Sequence, residues 1–180
     1  MEVVDKILNG AVLIKPKVFI DERGYFSETF NQQSLNEIIG EVGFVQDNQS
    51  LSQKGVLRGL HFQNAPHAQG KLVRVIKGAV KDVIVDIRKR SPTYGQSFSV
   101  ELSESNFLML WVPPGFAHGF LTLENNTVFF YKVSNFYNAS SEGCIKWNDK
   151  TLNIDWGTND VLVSKKDEEG EEFQAFNSLF

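Results

Sequence analysis

The sequence predicts an all-β domain, two packed sheets forming a sandwich or jelly roll with a few short peripheral helices. Two observations carry this. Short segments rich in β-branched and aromatic residues recur along the chain, many alternating apolar and polar. Turn residues separate them at the roughly 8–12-residue spacing of sandwiches and barrels. The expected strands are Ala11–Ile14, Val18–Ile20, Tyr25–Phe30, Val56–Phe62, Lys71–Lys77, Ala79–Arg88, Ser97–Leu102, Phe107–Val112, His118–Leu123 and Thr127–Val133. Between them stand Asp21-Glu-Arg-Gly24, Lys77-Gly78, Ser91-Pro-Thr-Tyr-Gly95, Pro113-Pro-Gly115 and Glu124-Asn-Asn126, all with turn chemistry. Gln32–Ile39 reads as a helix, with Asn31 able to cap its first N–H groups and Gly40 able to end it. The stretch from Lys165 to Phe180 is acidic yet carries Phe173, Phe176, Leu179 and Phe180, and is expected to pack on the sheets as a short helix.

A chain of 180 residues with 42% hydrophobic content can build one core without staples, so residues 1–180 are read as a single domain. The aromatic complement, Phe 15, Trp 3 and Tyr 4, suits a sandwich interior or a stacking pocket. A net charge of -4 gives no basic field for nucleic acid, so an anionic ligand must be met by local Arg and Lys. Cys144 has no partner for an intrachain disulfide, which fits a reducing compartment. The first residues carry acids and no long apolar run, and no stretch approaches a membrane span, so a cytoplasmic protein with no membrane partner is expected.

The polar residues on the strands point toward chemistry. In Val56–Gln63, counting by twos puts Val56, Arg58, Leu60 and Phe62 on one face and Leu57, Gly59, His61 and Gln63 on the other. Arg58 and His61 interrupt an otherwise apolar strand, where an unpaired charge or imidazole is unfavourable. His61 reads either as a satisfied core histidine or as a working base. His118 follows the turn Pro113-Pro-Gly115-Phe-Ala-His118, which resembles the second half of a metal-cupin signature. The first half lacks its second histidine, and the remaining one, His67, sits in a polar loop, so no metal is expected. In Asp82–Arg88 the two acids share a face, either as a plain amphipathic strand or to orient buried cations. Lys71 and Tyr131 read individually as a solvated sheet end and a buried hydroxyl. A base, a phenol, cations and aromatics together fit proton abstraction beside a carbonyl on an anionic substrate.

Ordered motifs sharpen this. They are Phe19-Ile-Asp21-Glu-Arg23-Gly24-Tyr-Phe26-Ser-Glu28, Gln46-Asp-Asn48-Gln-Ser50, Lys54-Gly-Val-Leu-Arg58-Gly-Leu-His61-Phe-Gln63, Gln69-Gly-Lys71-Leu-Val-Arg74, Asp82-Val-Ile-Val-Asp86-Ile-Arg88 and Trp111-Val-Pro-Pro-Gly-Phe-Ala-His118-Gly-Phe. Later come Tyr131-Lys132, Tyr137 with Glu142, Ile145-Lys-Trp147-Asn-Asp149 and Ser164-Lys-Lys166-Asp167. Over nearly its whole length the chain resembles the dTDP-4-dehydrorhamnose 3,5-epimerase family. The resemblance implies a cupin-like jelly roll, a homodimer whose N-terminal strand reaches the partner's site, a dTDP-keto-sugar substrate, and neither cofactor nor metal. It implies that His61 is the base, oriented by Asp167, that Tyr131 is the acid on the opposite face, and that Lys71 stabilises the enolate. It further implies that Arg23, Glu28, Gln46, Asn48, Arg58, His118, Glu142 and Lys166 bind substrate. Related readings are a single-position epimerase, a ketoisomerase, and a sugar-nucleotide-binding cupin without activity.

Overall fold

In the computed structural model, which describes Met1–Phe180, fourteen strands and two helices follow in order. They are β1 Glu2–Ile7, β2 Ala11–Lys15, β3 Val18–Asp21, β4 Gly24–Ser27, α1 Gln32–Ile39, β5 Gln46–Ser52, β6 Val56–Gln63 and β7 Lys71–Lys77. Then come β8 Ala79–Asp86, β9 Ser97–Ser103, β10 Met109–Val112, β11 Phe116–Thr122, β12 Thr127–Val133, β13 Glu142–Cys144, β14 Leu162–Val163 and α2 Lys165–Glu168. One six-stranded sheet runs β1-β2-β10-β7-β12-β5 and a second runs β13-β6-β11-β8-β9, with β14 parallel to β6. β3 and β4 form a separate hairpin. No helix is long and apolar enough to cross a membrane.

The two sheets pack face to face in the expected jelly roll. Period-2 alternation sends Leu13, Val73, Val75, Leu110 and Phe129 from the first sheet against Val80, Ile84, Leu102, Phe116 and Phe120 from the second. Both outer faces are also covered. Helix α1, capped by the Asn31 side chain on the Ser34 N–H, lays Leu35, Ile38 and Ile39 over Ile14, Leu72, Met109 and Trp111. The C-terminal stretch lays Phe173, Phe176 and Phe180 over Leu57, Leu60, Phe62, Val83, Val85 and Ile87. This double cover is why β8 is buried along almost all of its length instead of alternating. Only Lys165–Glu168 of that stretch is helical; the rest packs its aromatics without helix, so the sequence expectation is corrected in form while its packing stands.

Strands β1 and β5 escape the sequence reading because they are polar edge strands. Gln46–Ser52 holds its place through a full antiparallel register with β12, from Gln46 opposite Val133 to Ser52 opposite Thr127. The short strands β13 and β14 were not expected either, and at the ends β4 stops at Ser27, β8 stops at Asp86 and β10 starts at Met109.

Strict alternation also fails within β6. Its register against β11 jumps from His61 opposite His118 to Arg58 opposite Phe120, so three steps on β6 match two on β11. This bulge at Gly59-Leu60 shifts the phase of the strand. Leu57, Leu60 and Phe62 all pack under the C-terminal cover, whereas Arg58 and His61 both line one cavity. Counting by twos had separated them. The bulge requires glycine. Gly59 sits at φ +136°, and a Cβ on it would lie 2.4 Å from Gly119 Cα.

Gly59→Ala is therefore expected to destabilise the fold by roughly 2–4 kcal/mol, overpacking and an unfavourable φ combined. Urea unfolding with an unchanged m-value would show the shift, and a change within about 0.5 kcal/mol would refute it.

Candidate active site

The interior of the sandwich is apolar at one end and polar at the other. At the polar end, β5, β6, β7, β11, β12 and β13 turn their inward side chains into a cavity of two lobes. One of about 250 Å³ is lined by Gln46, Asn48, His61, Lys71, Tyr131 and Glu142, with Gln63, Gln69 and Tyr137. The other, of about 200 Å³, is lined by Arg58, His118, Ser50 and Phe129, and shares His61, Lys71 and Tyr131. Alternation places these groups: Tyr131 lies two residues from core Phe129, Lys71 two from core Val73, and Asn48 stands opposite Tyr131.

His61 is held from behind. Its Nε2 lies 2.7 Å from Oδ1 of Asp167, and the bulged Gly59 N–H donates to Oδ2 of the same carboxylate at 3.1 Å. Asp167 is brought there by α2, whose start is capped by Ser164. Burial alone raises the Asp167 carboxyl, but the hydrogen bond and charge of His61, with the Gly59 N–H, hold it below the ordinary carboxylate value. An ionised carboxylate only accepts, so Nε2 carries the proton and Nδ1 keeps the lone pair.

Lys71 and Tyr131 line the same cavity as His61, and burial favours the neutral form of each. Burial pushes the Lys71 ammonium down to about 8, with Asp82 and Glu142 partly restoring it. Its Nζ lies 3.4 Å from the His61 carbonyl oxygen. Burial pushes the Tyr131 phenol up, opposed by the nearby Arg58 charge. The phenol is thus held neutral in a site with a cation beside it. His118 is clamped by Asp82, whose two carboxylate oxygens lie 3.1 and 2.9 Å from Nε2. Burial raises the Asp82 carboxyl, while His118 and Lys71 lower it. Of the two acids on β8, Asp82 therefore serves the cavity. Asp86 instead ties Arg88, Ser91 and Thr93 together away from it.

At the mouth, Glu142 accepts from the Tyr137 hydroxyl at 2.9 Å and from the Lys166 ammonium. Burial raises this carboxyl, but Lys166 and Tyr137 bring it below its usual value. Gln46 binds Asn48 at 2.9 Å and the Tyr137 N–H at 3.1 Å. Arg58 rests on Ser52 Oγ.

Of the residues singled out in the sequence, His61, Lys71, Tyr131, Gln46, Asn48, Arg58, His118, Glu142, Lys166 and Asp167 come together here. Arg23 and Glu28 do not. They flank β4, and Arg23 is 85% exposed and paired with Asp21. Ser52, Gln63 and Gln69 were not singled out as site residues, and of the two readings left open for the acids of β8 the orienting one holds for Asp82, which meets His118 and lies near Lys71. The polar alternation of Gln46, Asn48 and Ser50 was the available signal for an inward-facing β5. A wider groove of about 510 Å³ along Trp147–Asn159 contains Asp149 and Asp155, but both carboxylates already accept from backbone N–H groups.

Residues 5–175 match the family model described as dTDP-4-dehydrorhamnose 3,5-epimerase. A protein of that name from Shigella flexneri is 51% identical over 174 residues, 96% of each chain. The crystal structure of a dTDP-4-dehydrorhamnose 3,5-epimerase from Elizabethkingia anophelis NUHP1 superposes with a TM-score of 0.92 at 48% identity, covering 97% of both chains. A dTDP-6-deoxy-D-glucose-3,5-epimerase from Legionella pneumophila Philadelphia 1, solved in complex with dTDP-4-keto-L-rhamnose, gives 0.93 at 43% identity. The match covers 98% of this chain and 94% of that one.

The Lys71 environment predicts a measurable conflict between stability and site chemistry. Between pH about 8 and its ordinary 10.5, the unfolded chain binds more protons at this group than the folded one, so folding stability rises with pH there. Below pH 8 the buried ammonium opposes folding fully. Lys71→Met should stabilise the protein by about 1–3 kcal/mol at pH 7 and remove that rise. Urea titrations at pH 7 and pH 9 check it; a loss of stability at pH 7 would mean the cation is well solvated.

Proposed function

The chain belongs to the dTDP-4-dehydrorhamnose 3,5-epimerase family, and from that premise we propose how its cavity inverts C3 and C5 of dTDP-4-dehydro-6-deoxy-D-glucose to give dTDP-4-dehydro-L-rhamnose. The observation that carries the reading is the ionised Asp167 against His61, with Lys71 and Tyr131 lining the same cavity. Both inverted carbons lie α to the C4 ketone, so each is reached by removing a proton into an enolate. His61 Nδ1 takes the proton, and Asp167 stabilises the imidazolium through Nε2–H. The Lys71 ammonium stabilises the enolate oxygen. Tyr131 returns a proton from the opposite face, and the Arg58 charge eases its departure. Loss of the Lys71 proton should lower turnover as pH rises through about 8.

Arg58, His118 and Lys166 meet the diphosphate or sugar, Gln46, Asn48 and Glu142 fix the remaining polar edges, and the thymine ring lies toward the mouth near Tyr137. The enzyme acts in the cytoplasm as a homodimer. The β3–β4 hairpin supports the dimer: Ile20 and Phe26 are 79% and 69% exposed on it, with Phe19 and Tyr25 beside them. In the dimer this hairpin carries Arg23 and Glu28 to the partner's cavity.

The deciding experiment is NMR in deuterated water with dTDP-4-keto-6-deoxyglucose. Deuterium should enter at C3 and C5; incorporation at one carbon would make this a single-position epimerase. His61→Asn should abolish exchange at both carbons. Tyr131→Phe should exchange hydrogen faster than it forms product, because His61 can still return its proton to the same face; a parallel fall in both would remove Tyr131 as the acid. Mixing inactive His61→Asn with weakened Arg23→Ala dimers should restore activity, since one hybrid site then carries neither lesion. No recovery on subunit exchange would place Arg23 in its own chain's site.

A further inference from the structure

Cys144 has no part in the proton transfers, yet it stands beside the dyad that performs them. β13 pairs Cys144 directly with His61. Within β13, Glu142 turns into the cavity and Gly143 turns outward, where a Cβ would strike the Phe62 ring, so Cys144 faces inward with Glu142. One donor atom from each of His61, Asp167 and Cys144 lies within 4.8 Å of the other two. Three ligands of a tetrahedral Zn²⁺ stand roughly 3.3–3.7 Å apart, so the thiol has to close in and the His61–Asp167 pair has to open slightly. Cys144 is partly exposed, and β13 is a three-residue edge strand able to make that adjustment.

We propose that His61, Asp167 and Cys144 form an inhibitory site for Zn²⁺, one that switches off the base it ligates. The inference rests on His61 being that base. The metal takes the Nε2 lone pair, one Asp167 oxygen and the Cys144 thiolate. Nε2 carries the proton in the active tautomer, so coordination there moves that proton to Nδ1, the nitrogen that otherwise receives the substrate proton. The ring stays neutral and gains no proton, Asp167 is already ionised, and the thiol gives up its one proton to solvent. Each Zn²⁺ bound therefore releases one proton. Burial holds the free thiol up at about 12, so without metal it stays protonated and unreactive, and uptake strengthens as pH rises. With three protein ligands, the fourth position of the tetrahedral ion would be filled from solvent.

The test uses the intact protein and two readouts. Co²⁺ added to wild type should give the near-ultraviolet thiolate-to-cobalt band together with tetrahedral visible bands; Cys144→Ala should lack the thiolate band. This reading is independent of turnover, so it stands even if another residue proves to be the base. In the epimerisation assay, Zn²⁺ should inhibit wild type reversibly, with chelator restoring full rate. Cys144→Ala should keep its basal rate and need at least tenfold more Zn²⁺ for the same inhibition. Calorimetry in two buffers of different ionisation enthalpy should report one proton released. Absence of the thiolate band in wild type overturns the site, and equal Zn²⁺ sensitivity in Cys144→Ala assigns inhibition to other ligands. A Co²⁺ site with no effect on turnover would retain the metal site and reject its inhibitory role.

Discussion

Gly59 and Gly119 approach each other more closely than any side chain allows, and the site is built outward from that contact. The approach lets β6 carry one extra residue against β11. Two consequences follow from the same bulge. Arg58 and His61, three apart, come to face one cavity, and the Gly59 N–H becomes free to bind Asp167. The peptide that re-aims His61 thus also holds the carboxylate that contacts its ring. A regular strand would satisfy that N–H within the ladder and turn either Arg58 or His61 outward.

The rest of the cavity is a problem in burying charge. The sheets supply apolar walls, which strengthen every interaction inside and penalise each unpaired ion. The structure answers with pairs placed in depth: Asp82 behind His118 and near Lys71, Asp167 behind His61, and Lys166 before Glu142. Lys71, like Arg58, has no direct carboxylate contact, and burial loosens its ammonium. A cation that is held but poorly solvated responds strongly to negative charge forming nearby, which a fully paired lysine does not.

Much of this was legible in the chain. The strands with apolar alternation, the helix at Gln32–Ile39 and its Asn31 cap all follow from local patterning, and the ordered motifs carried the family resemblance. What escaped was nonlocal. Gln46–Ser52 has the composition of a loop, and only its pairing with β12 makes it a strand. The phase shift in β6 depends on a glycine from β11 sixty residues away in the chain. Asp82 and Asp86 look alike in sequence; their duties separate only when β11 brings His118 to one and the loop after β8 brings Ser91 and Thr93 to the other. Arg23 and Glu28 are plain in the motif yet find no cavity within a single chain.

The segment that covers the outer face of the second sheet also carries Asp167. Its aromatic side chains shield Leu57, Leu60 and Phe62, and a few residues earlier its Asp167 carboxylate meets the His61 imidazole. Detaching this segment therefore does two things at once: it frees the imidazole from its partner and it uncovers an apolar face. A molecule in which it has come loose lacks the His61–Asp167 pair and exposes apolar surface in the same event. Any change that loosens this cover is therefore also a change in the surroundings of His61.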